Sequence, residues 1–339
     1  MGLINRTEAS ITERQAPEQF LPRVSVVVPT RNRPHLLCRA VRTALGQGLR
    51  DLEVVVVIDG SEAGADLATH QALAAIDDLR LRVIPLDYPA GGSEARNIGV
   101  REARGHWIAL LDDDDEFLPG KLEKQLHRAE SSAGLRTLVT SRFIARSART
   151  AEIWPRRAPA EGEPLSEYLF RRRHFTRGEG ALQTSTFFCQ RALLLETPFQ
   201  KGLKRHQDWD WLLRIAERGD VAIELIAEPL SIYHRAEQRE SVSESVDWRS
   251  SLRWARQNRD RITPRAYSFF VAAEVAPQAA EAREGIGTCL ALLRECLFGG
   301  SPTPFALTLF AGYYLLPRRL RTGARTFVSG ARARLQRVR

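Results

Sequence analysis

A chain of 339 residues, 43% hydrophobic and 27% charged, has the composition of a globular protein and the length for one large domain with appendages, or for two domains. Its net charge of +9 is not spread evenly: no acid follows Glu295, while Arg318, Arg319, Arg321, Arg325, Arg332, Arg334, Arg337 and Arg339 carry eight charges, so the remainder is near neutral. That excludes a general nucleic-acid binder and leaves a basic tail suited to a local acidic partner.

Residues 1–22 are polar and mixed in charge, without the apolar centre of a signal peptide, and read as a frayed or disordered lead-in. From Arg23 to Leu126 short β-branched runs alternate with helical periodicity, the pattern of a mostly parallel sheet flanked by helices. Val24 to Val28 is the first strand, and a helix follows from about Pro34 with Leu36, Leu37, Ala40, Val41, Ala44 and Leu45 on one face. Glu53 to Ile58 is a second strand, too uniformly apolar for an edge. A weaker helix through Leu67, Ala72 and Ile76 leads to a third strand at Leu81 to Ile84. A further helix opens at Gly92 and feeds the strand ending at Asp112. From Leu138 to Arg249 the pattern is less regular, with loops near Trp154 to Pro164 and Arg171 to Arg177 and a helix starting near Asp208. Beyond Trp248 the chain reads as helices broken at Pro302-Thr303-Pro304. Cys38, Cys189, Cys289 and Cys296 are scattered, with no CxxC pair and no His at zinc spacing, so neither a disulfide framework nor a zinc site is expected and a reducing cytoplasm is the default. The longest apolar run, Phe305 to Leu316, is about half a bilayer span.

The run from Gly105 to Glu116 carries the most chemistry. An apolar strand ends abruptly in Asp112, Asp113, Asp114 and Asp115, a clustering that is costly without a cation and that suits a hard ion such as Mg2+ or Mn2+ shared with substrate phosphates. A solvated acidic turn before Pro119 is the plainer alternative. A calcium loop of EF-hand type is excluded at its sixth place, where Phe117 stands instead of the required Gly. Polar residues also close two other strands, at Pro29-Thr30-Arg31-Asn32 and Asp59-Gly60-Ser61. Ligands of open α/β sheets collect outside the carboxyl ends of strands, so three such clusters imply one shared crevice.

Two helix starts add to it. Gly91-Gly92-Ser93 opens a helix bearing Arg96 and Asn97, where backbone amides favour anionic oxygens, although Arg96 could equally pair with Glu53 or Glu94. In the helix from His206 onward, Asp208 shares a side with Trp211, Leu212 and Ile215, as either a cap or a functional carboxylate aimed into a cleft. Asp210 faces away, with Arg214 four residues on, and is expected in a surface ion pair.

In order and spacing these motifs resemble glycosyltransferase family 2, inverting nucleotide-sugar enzymes of the GT-A fold. The resemblance runs from about Arg23 to Ser243: Ser25 to Asn32, Asp59-Gly60-Ser61, Ala95-Arg96-Asn97-Ile98-Gly99, Leu111 to Asp115 with Pro119 to Glu123, and Gln207 to Asp210 with Leu213-Arg214. It implies a GT-A domain over 23–245, with a nucleotide-sugar half at 23–126 and an acceptor half at 127–245; beyond it the residues themselves read as a helical extension at 246–300 and an apolar segment with a basic amphipathic tail at 301–339. The resemblance implies Asp208 as catalytic base. On the donor side stand Pro29, Thr30, Asn32, Asp59, Arg96, Asp112 and Asp113. Asp114 and Asp112 are the metal ligands, joined by His234, and the cofactor is Mn2+ or Mg2+. Gln207 and Trp209 lie on the acceptor side. Ile58 stands where the family carries the first Asp of Asp-Asp-Gly-Ser, and Gln207 where many relatives have Glu. With Asp112 and Asp114 as the diphosphate-metal clamp, Asp113 and Glu116 are expected as bystanders facing solvent or the following helix. The implied reaction moves a sugar from a nucleotide-diphosphate donor, a UDP-sugar, to a cell-surface or lipid-linked glycan. The competing readings are a nucleotidyltransferase, which would need a basic Gly-rich loop after the first strand, and an idle binding protein of the same fold.

In the tail, Leu320, Ala324, Phe327, Val328, Ala331, Leu335 and Val338 recur at helical spacing among arginines. This stripe is expected on the cytoplasmic face of an anionic membrane or, alternatively, docked on the body.

Overall fold

Every residue of the β-branched run Val24–Thr30 (β1) but Pro29 is buried, as a central strand covered on both faces requires. The computed structural model describes residues 21–60, 65–132, 136–148, 150–174, 178–235 and 247–315. Leu52–Ile58 (β2), Leu81–Pro85 (β3) and Trp107–Leu110 (β4) join β1 in a parallel unit of order β3-β2-β1-β4, with Val24 beside Leu52 on one side and Trp107 on the other. Its crossovers are helices Pro34–Leu45 (α1), Ala65–Ala74 (α2) and Gly92–Glu102 (α3). Proline at the first position starts α1 without loss of a hydrogen bond.

Beyond β4 come Glu116–Phe117 (β5), Lys121–Ser131 (α4), Arg136–Arg146 (β6), Ala151–Trp154 (β7), Leu165–Phe170 (α5), Phe188–Gln190 (β8), Arg191–Glu196 (α6), Gln207–Glu217 (α7) and Val221–His234 (β9). The sheet continues from β4 through β8, β6 and β9 to β5, with β7 on β6. Only β6 and β9 are parallel in this half; the other contacts, including β4 with β8, are antiparallel. The expected α/β sheet is therefore parallel over β3-β2-β1-β4 and mixed beyond it.

Alternation along the strands divides the core. Val24, Val26, Val28, Val54 and Val56 pack with α1 and α4. Val27, Ile108 and Leu110 face the opposite way, with Phe187, Phe199 and the fully buried Trp211. On that second face α3 lies so close to the sheet that a Cβ on Gly99 would meet Val27 Cγ1 at 2.4 Å and Val57 Cγ2 at 3.1 Å. In an open helix Gly99→Ala would gain about 1 kcal/mol. Here overpacking prevails, and a net loss of about 1–2 kcal/mol is expected in urea melts; an unchanged midpoint would show that α3 can lift without cost.

Helices Trp248–Gln257 (α8), Pro264–Phe270 (α9), Ala276–Glu281 (α10), Ile286–Phe298 (α11) and Pro304–Leu315 (α12) follow, with a π-helical turn at Val271–Val275 between α9 and α10. The predicted break at Pro302 falls between α11 and α12. These helices share a core with Phe170 and Leu213, and so lie on α5 and α7. This corrects the expectation of a surface pair at Asp210. The helical region covers that face, leaving Asp210 5% exposed, where it accepts from Arg214 Nε at 2.9 Å and Trp254 Nε1 at 3.1 Å. The basic stripe expected from Leu320, most of the lead-in, Ser61 and the expected boundary at residue 245 lie outside the described residues.

Candidate active site

The carboxyl ends of β1, β2 and β4 open on one cleft of about 990 Å³, which α3 and α7 also line. The β4 end is a tight turn, closed by Asp115 N–H donating to the Asp112 carbonyl at 3.1 Å, and the turn sends its four carboxylates in different directions. Asp112 is the most open to the cleft. Its Oδ1 accepts from Arg96 Nη2 at 2.5 Å, and its backbone N–H donates to Ser185 Oγ at 3.0 Å. Asp113 Oδ2 accepts from Thr30 Oγ1 at 2.7 Å, and Arg33 Nη1 reaches Asp113 Oδ1 at 3.2 Å and Asp114 Oδ2 at 3.0 Å. Asp113 is therefore no bystander: it is 6% exposed, because the turn folds it back onto the end of β1. Asp115 is fully buried, accepting from Ser185 Oγ, Gln183 Nε2 and the His234 N–H. Burial pushes the Asp113 carboxyl up to about 6, with Arg33 pulling the other way. Burial, reinforced by Asp114 and Asp112, holds Asp115 well above the carboxylate range.

Arg96 is the hub between the two halves. Besides Asp112 it donates through Nη1 to Gln207 Oε1 at 2.7 Å, so neither Glu53 nor Glu94 is its partner. Burial disfavours its charge, but Asp112 and Asp208 outweigh that and raise its pKa. Gln207, expected on the acceptor side, ties the first turn of α7 to Arg96 of α3.

Asp208 stands next to it. The residue before the helix, His206, has φ 62° and makes no side-chain cap, and Asp208 does not cap either: its Oδ1 accepts from Thr184 Oγ1. Burial raises its pKa, with Arg96 opposing and Asp112 adding to the rise. Trp209 lines the cleft and stacks on His206 at 4.9 Å with an 8° interplanar angle. Burial and then the Arg205 charge depress His206 to about 3, so this platform is neutral. The helical region also reaches the cleft, where Glu274 of the π-helical turn accepts from Arg205 Nη2 at 3.2 Å.

Two expected residues are placed elsewhere. Asn32 does not line the cleft; at φ 56° it makes the left-handed turn after β1 that brings Arg33 to the carboxylates. His234 is also outside the lining, buried with its Nε2 at 2.6 Å from Glu116 Oε1, and Glu116 is thereby a partner rather than a solvent-facing bystander. Asp59 lines the cleft, and its carboxylate holds the loop before α3 by accepting from Ala90 N–H at 2.6 Å and Gly91 N–H at 3.1 Å. Gly60 beside it is needed because a Cβ would lie 2.6 Å from the Leu86 carbonyl of that same loop.

Sequence reading missed Arg33, Gln183, Thr184, Ser185 and Glu274. The polar run Gln183 to Thr186 before the β8 strand was a usable signal, but only the β4–β8 pairing carries it to the Asp turn. No three His, Cys, Asp or Glu side chains among the described residues converge as a ready-made metal cage. Asp112 and Asp114 nonetheless suit a hard ion, which commonly takes one or two carboxylates and completes its shell with water and substrate phosphates.

The nine-stranded mixed sheet flanked by helices is the fold of the GT-A class of glycosyltransferase. The mannosyltransferase PcManGT of Pyrobaculum calidifontis, solved with GDP-Man and Mn2+, has the same fold, with a TM-score of 0.52 over 90% of this chain and 83% of that one at 21% identity. The model of Glycosyl transferase family 2 matches residues 25–199, just over half of the chain, and the chain belongs to that family. It is 28% identical over 255 residues to the amylovoran biosynthesis glycosyltransferase AmsB of Erwinia amylovora, covering 72% of this chain and 82% of AmsB. It is 35% identical over 109 residues to the GalNAc(5)-diNAcBac-PP-undecaprenol beta-1,3-glucosyltransferase of Campylobacter jejuni, covering 32% of this chain and 35% of that one. The protein is thus a glycosyltransferase, and the nucleotidyltransferase and idle-fold readings are set aside.

Proposed function

We propose a metal-dependent, inverting transfer of a sugar from a nucleotide-diphosphate donor, first of all a UDP-sugar, to a hydroxyl of a cell-surface or lipid-linked glycan. The observation that carries this reading is the position of Asp208: a half-buried carboxylate, oriented by Thr184, in the same cleft as the Asp112–Arg96 pair.

Pro29, Thr30 and the loop held by Asp59 bind the base and ribose, while Arg96, Asp112 and Asp113 shape the diphosphate end. Asp112 and Asp114 hold the cation, Mn2+ or Mg2+, which when bound supplies positive charge to the departing diphosphate. His234, engaged by Glu116, has no part in it. Asp208 takes the proton of the acceptor hydroxyl as that oxygen attacks the anomeric carbon opposite the leaving group, so a single displacement inverts the configuration. Thr184 fixes the carboxylate, and the raised pKa that burial gives it makes it a stronger base once ionised. Trp209, stacked on the neutral His206, forms the acceptor-side wall. The AmsB and undecaprenol-linked relatives support an envelope glycan as acceptor. No helix of the described residues is long and apolar enough to cross a membrane, and the arginine-rich residues 316–339 bring the enzyme to an anionic membrane surface on its cytoplasmic side.

The test is release of nucleoside diphosphate from a panel of nucleotide sugars, with Mn2+ or Mg2+ and cell-envelope acceptors, before and after chelation. Turnover of a UDP-sugar that stops on chelation is expected. If no donor turns over, the reading is wrong.

A further inference from the structure

Helix α9 runs into α10 through the π-helical turn Val271–Val275, and the sequence supplies the reason. Pro277 has no N–H to offer the carbonyl four residues back, that of Ala273, so the helix widens and Ala276 N–H donates to the Val271 carbonyl, five residues back. Arg172 Nη2 reaches the freed Ala273 carbonyl at 3.4 Å and pins the turn from the loop after α5. Glu274, carried on this turn, thereby lines the same cleft as Asp208 and Trp209. It lies beyond residues 25–199, which the family model matches.

Its carboxylate is held through one oxygen. Glu274 Oε1 accepts from Arg205 Nη2 at 3.2 Å and from Gln278 Nε2 at 3.1 Å, whereas Oε2 takes no hydrogen bond among the described residues. A run of polar contacts ties this carboxylate to the aromatic platform: Ser251 Oγ donates to Gln278 Oε1 at 3.4 Å and lies 2.9 Å from Nε2 of His206, the ring on which Trp209 stacks. Arg205 and Trp209 also flank Asp208 in the chain, so carboxylate, platform and base are fixed together before any ligand arrives. An aromatic face with a hydrogen-bond acceptor near it suits a pyranose, which lays its C–H groups on the ring and directs its hydroxyls outward. Charge narrows the choice. The carboxylate disfavours a phosphate or uronic acid at this point, while Arg205 and the exposed Lys204, which line the same cleft, disfavour an amine. A neutral sugar meets neither penalty.

We propose that Glu274 reads the acceptor: its terminal sugar is a neutral ring seated on Trp209, with one hydroxyl donating to Glu274 Oε2 and another facing Asp208. Acceptor specificity is then set from the helical region, outside the part of the chain that the family model matches. The proposal rests on the reading of the cleft as the acceptor site of a transferase, but the binding it foresees needs no turnover.

The experiment is a saturation-transfer NMR titration of the full chain, with UDP and Mn2+ present, against octyl glycosides. The neutral set is the glucoside, galactoside, mannoside and N-acetylglucosaminide, and the anionic probe is the glucuronide. Wild type is expected to bind a neutral glycoside, and the glucuronide at least about tenfold more weakly. Glu274→Ala is expected to bind the preferred glycoside about 10–100-fold more weakly, as loss of a hydrogen bond to a charged group implies. Glu274→Gln keeps an oxygen for Arg205 and Gln278, which guards against a folding defect, and is expected to lose affinity in the same direction. One monodeoxy analogue should bind wild type about tenfold more weakly than its parent, yet bind Glu274→Ala as well as its parent does. A merely structural role would weaken parent and analogue alike. Equal affinity of wild type and both variants, no neutral glycoside bound, the glucuronide bound best, or deoxy penalties that all survive in Glu274→Ala would overturn the proposal. Asp208→Asn, titrated alongside, is expected to bind the glycoside and fail to transfer to it; transfer by that variant would overturn Asp208 as base and leave the Glu274 result standing.

Discussion

Asp208→Asn is expected to lower the rate of sugar transfer by about 10²–10⁴-fold while nucleotide-sugar binding is kept. Asn retains an oxygen for the Thr184 hydroxyl, so the geometry survives and only the proton acceptor is lost. The pH profile adds a separate check. A base works only when ionised, and burial raises the Asp208 pKa above its ordinary 3.8, so the wild-type rate rises with pH through a limb displaced upward from that value. In the variant this limb disappears. Full activity in Asp208→Asn, or an acid limb that persists in whatever activity remains, would remove Asp208 from the role of base and pass it to another group in the cleft.

The second large effect concerns the Asp turn. Mn2+ with a nucleoside diphosphate is expected to raise the melting temperature of the wild type, by about 2.7 kcal/mol of stability at a hundredfold excess over Kd. Asp112→Ala/Asp114→Ala removes that shift, and chelation reverses it in the wild type. The shift persisting in the double variant would place the cation elsewhere. Asp113 is tested separately by the stability of the unliganded protein. Its folded pKa of about 6 lies above the unfolded value near 3.8, so the folded state holds the proton more tightly. The stability this gives is complete below about pH 4 and lost as the pH rises to 6, by up to about 3 kcal/mol. Asp113→Asn never ionises and escapes the loss. Its stability relative to wild type should therefore climb between pH 4 and pH 6 in parallel urea melts; a flat difference would mean that Thr30 and Arg33 compensate the buried charge in full.

Much of this was legible in the chain because it is written in local patterns. Val24–Thr30, Leu52–Ile58 and the helix starting at Pro34 announce themselves by periodicity and residue type, and the strand-end polar clusters follow from where those strands stop. Arg96, Asp112 and Asp208 could be singled out by residue type and motif order, but not paired with one another. By sequence Arg96 had Glu53 and Glu94 as possible carboxylate partners, and the fold instead gave it Asp112 by setting α3 and the β4 end over the same cleft. Asp113 and Asn32 show the limit from the other side. The chain alone puts Asp113 towards solvent or the following helix, yet the tight turn after β4 returns its side chain to Thr30.

By itself the sequence determined the α/β class, the order of strands along the chain and the residue types available at each strand end, since these depend on burial and backbone preference within a few residues of one another. Only the tertiary structure decided that Thr184 orients Asp208, that Arg33 meets the Asp turn and that Glu274 reaches the cleft from the helical region. Those contacts join residues tens to more than a hundred positions apart, and they depend on sheet order and helix packing, which no local pattern records.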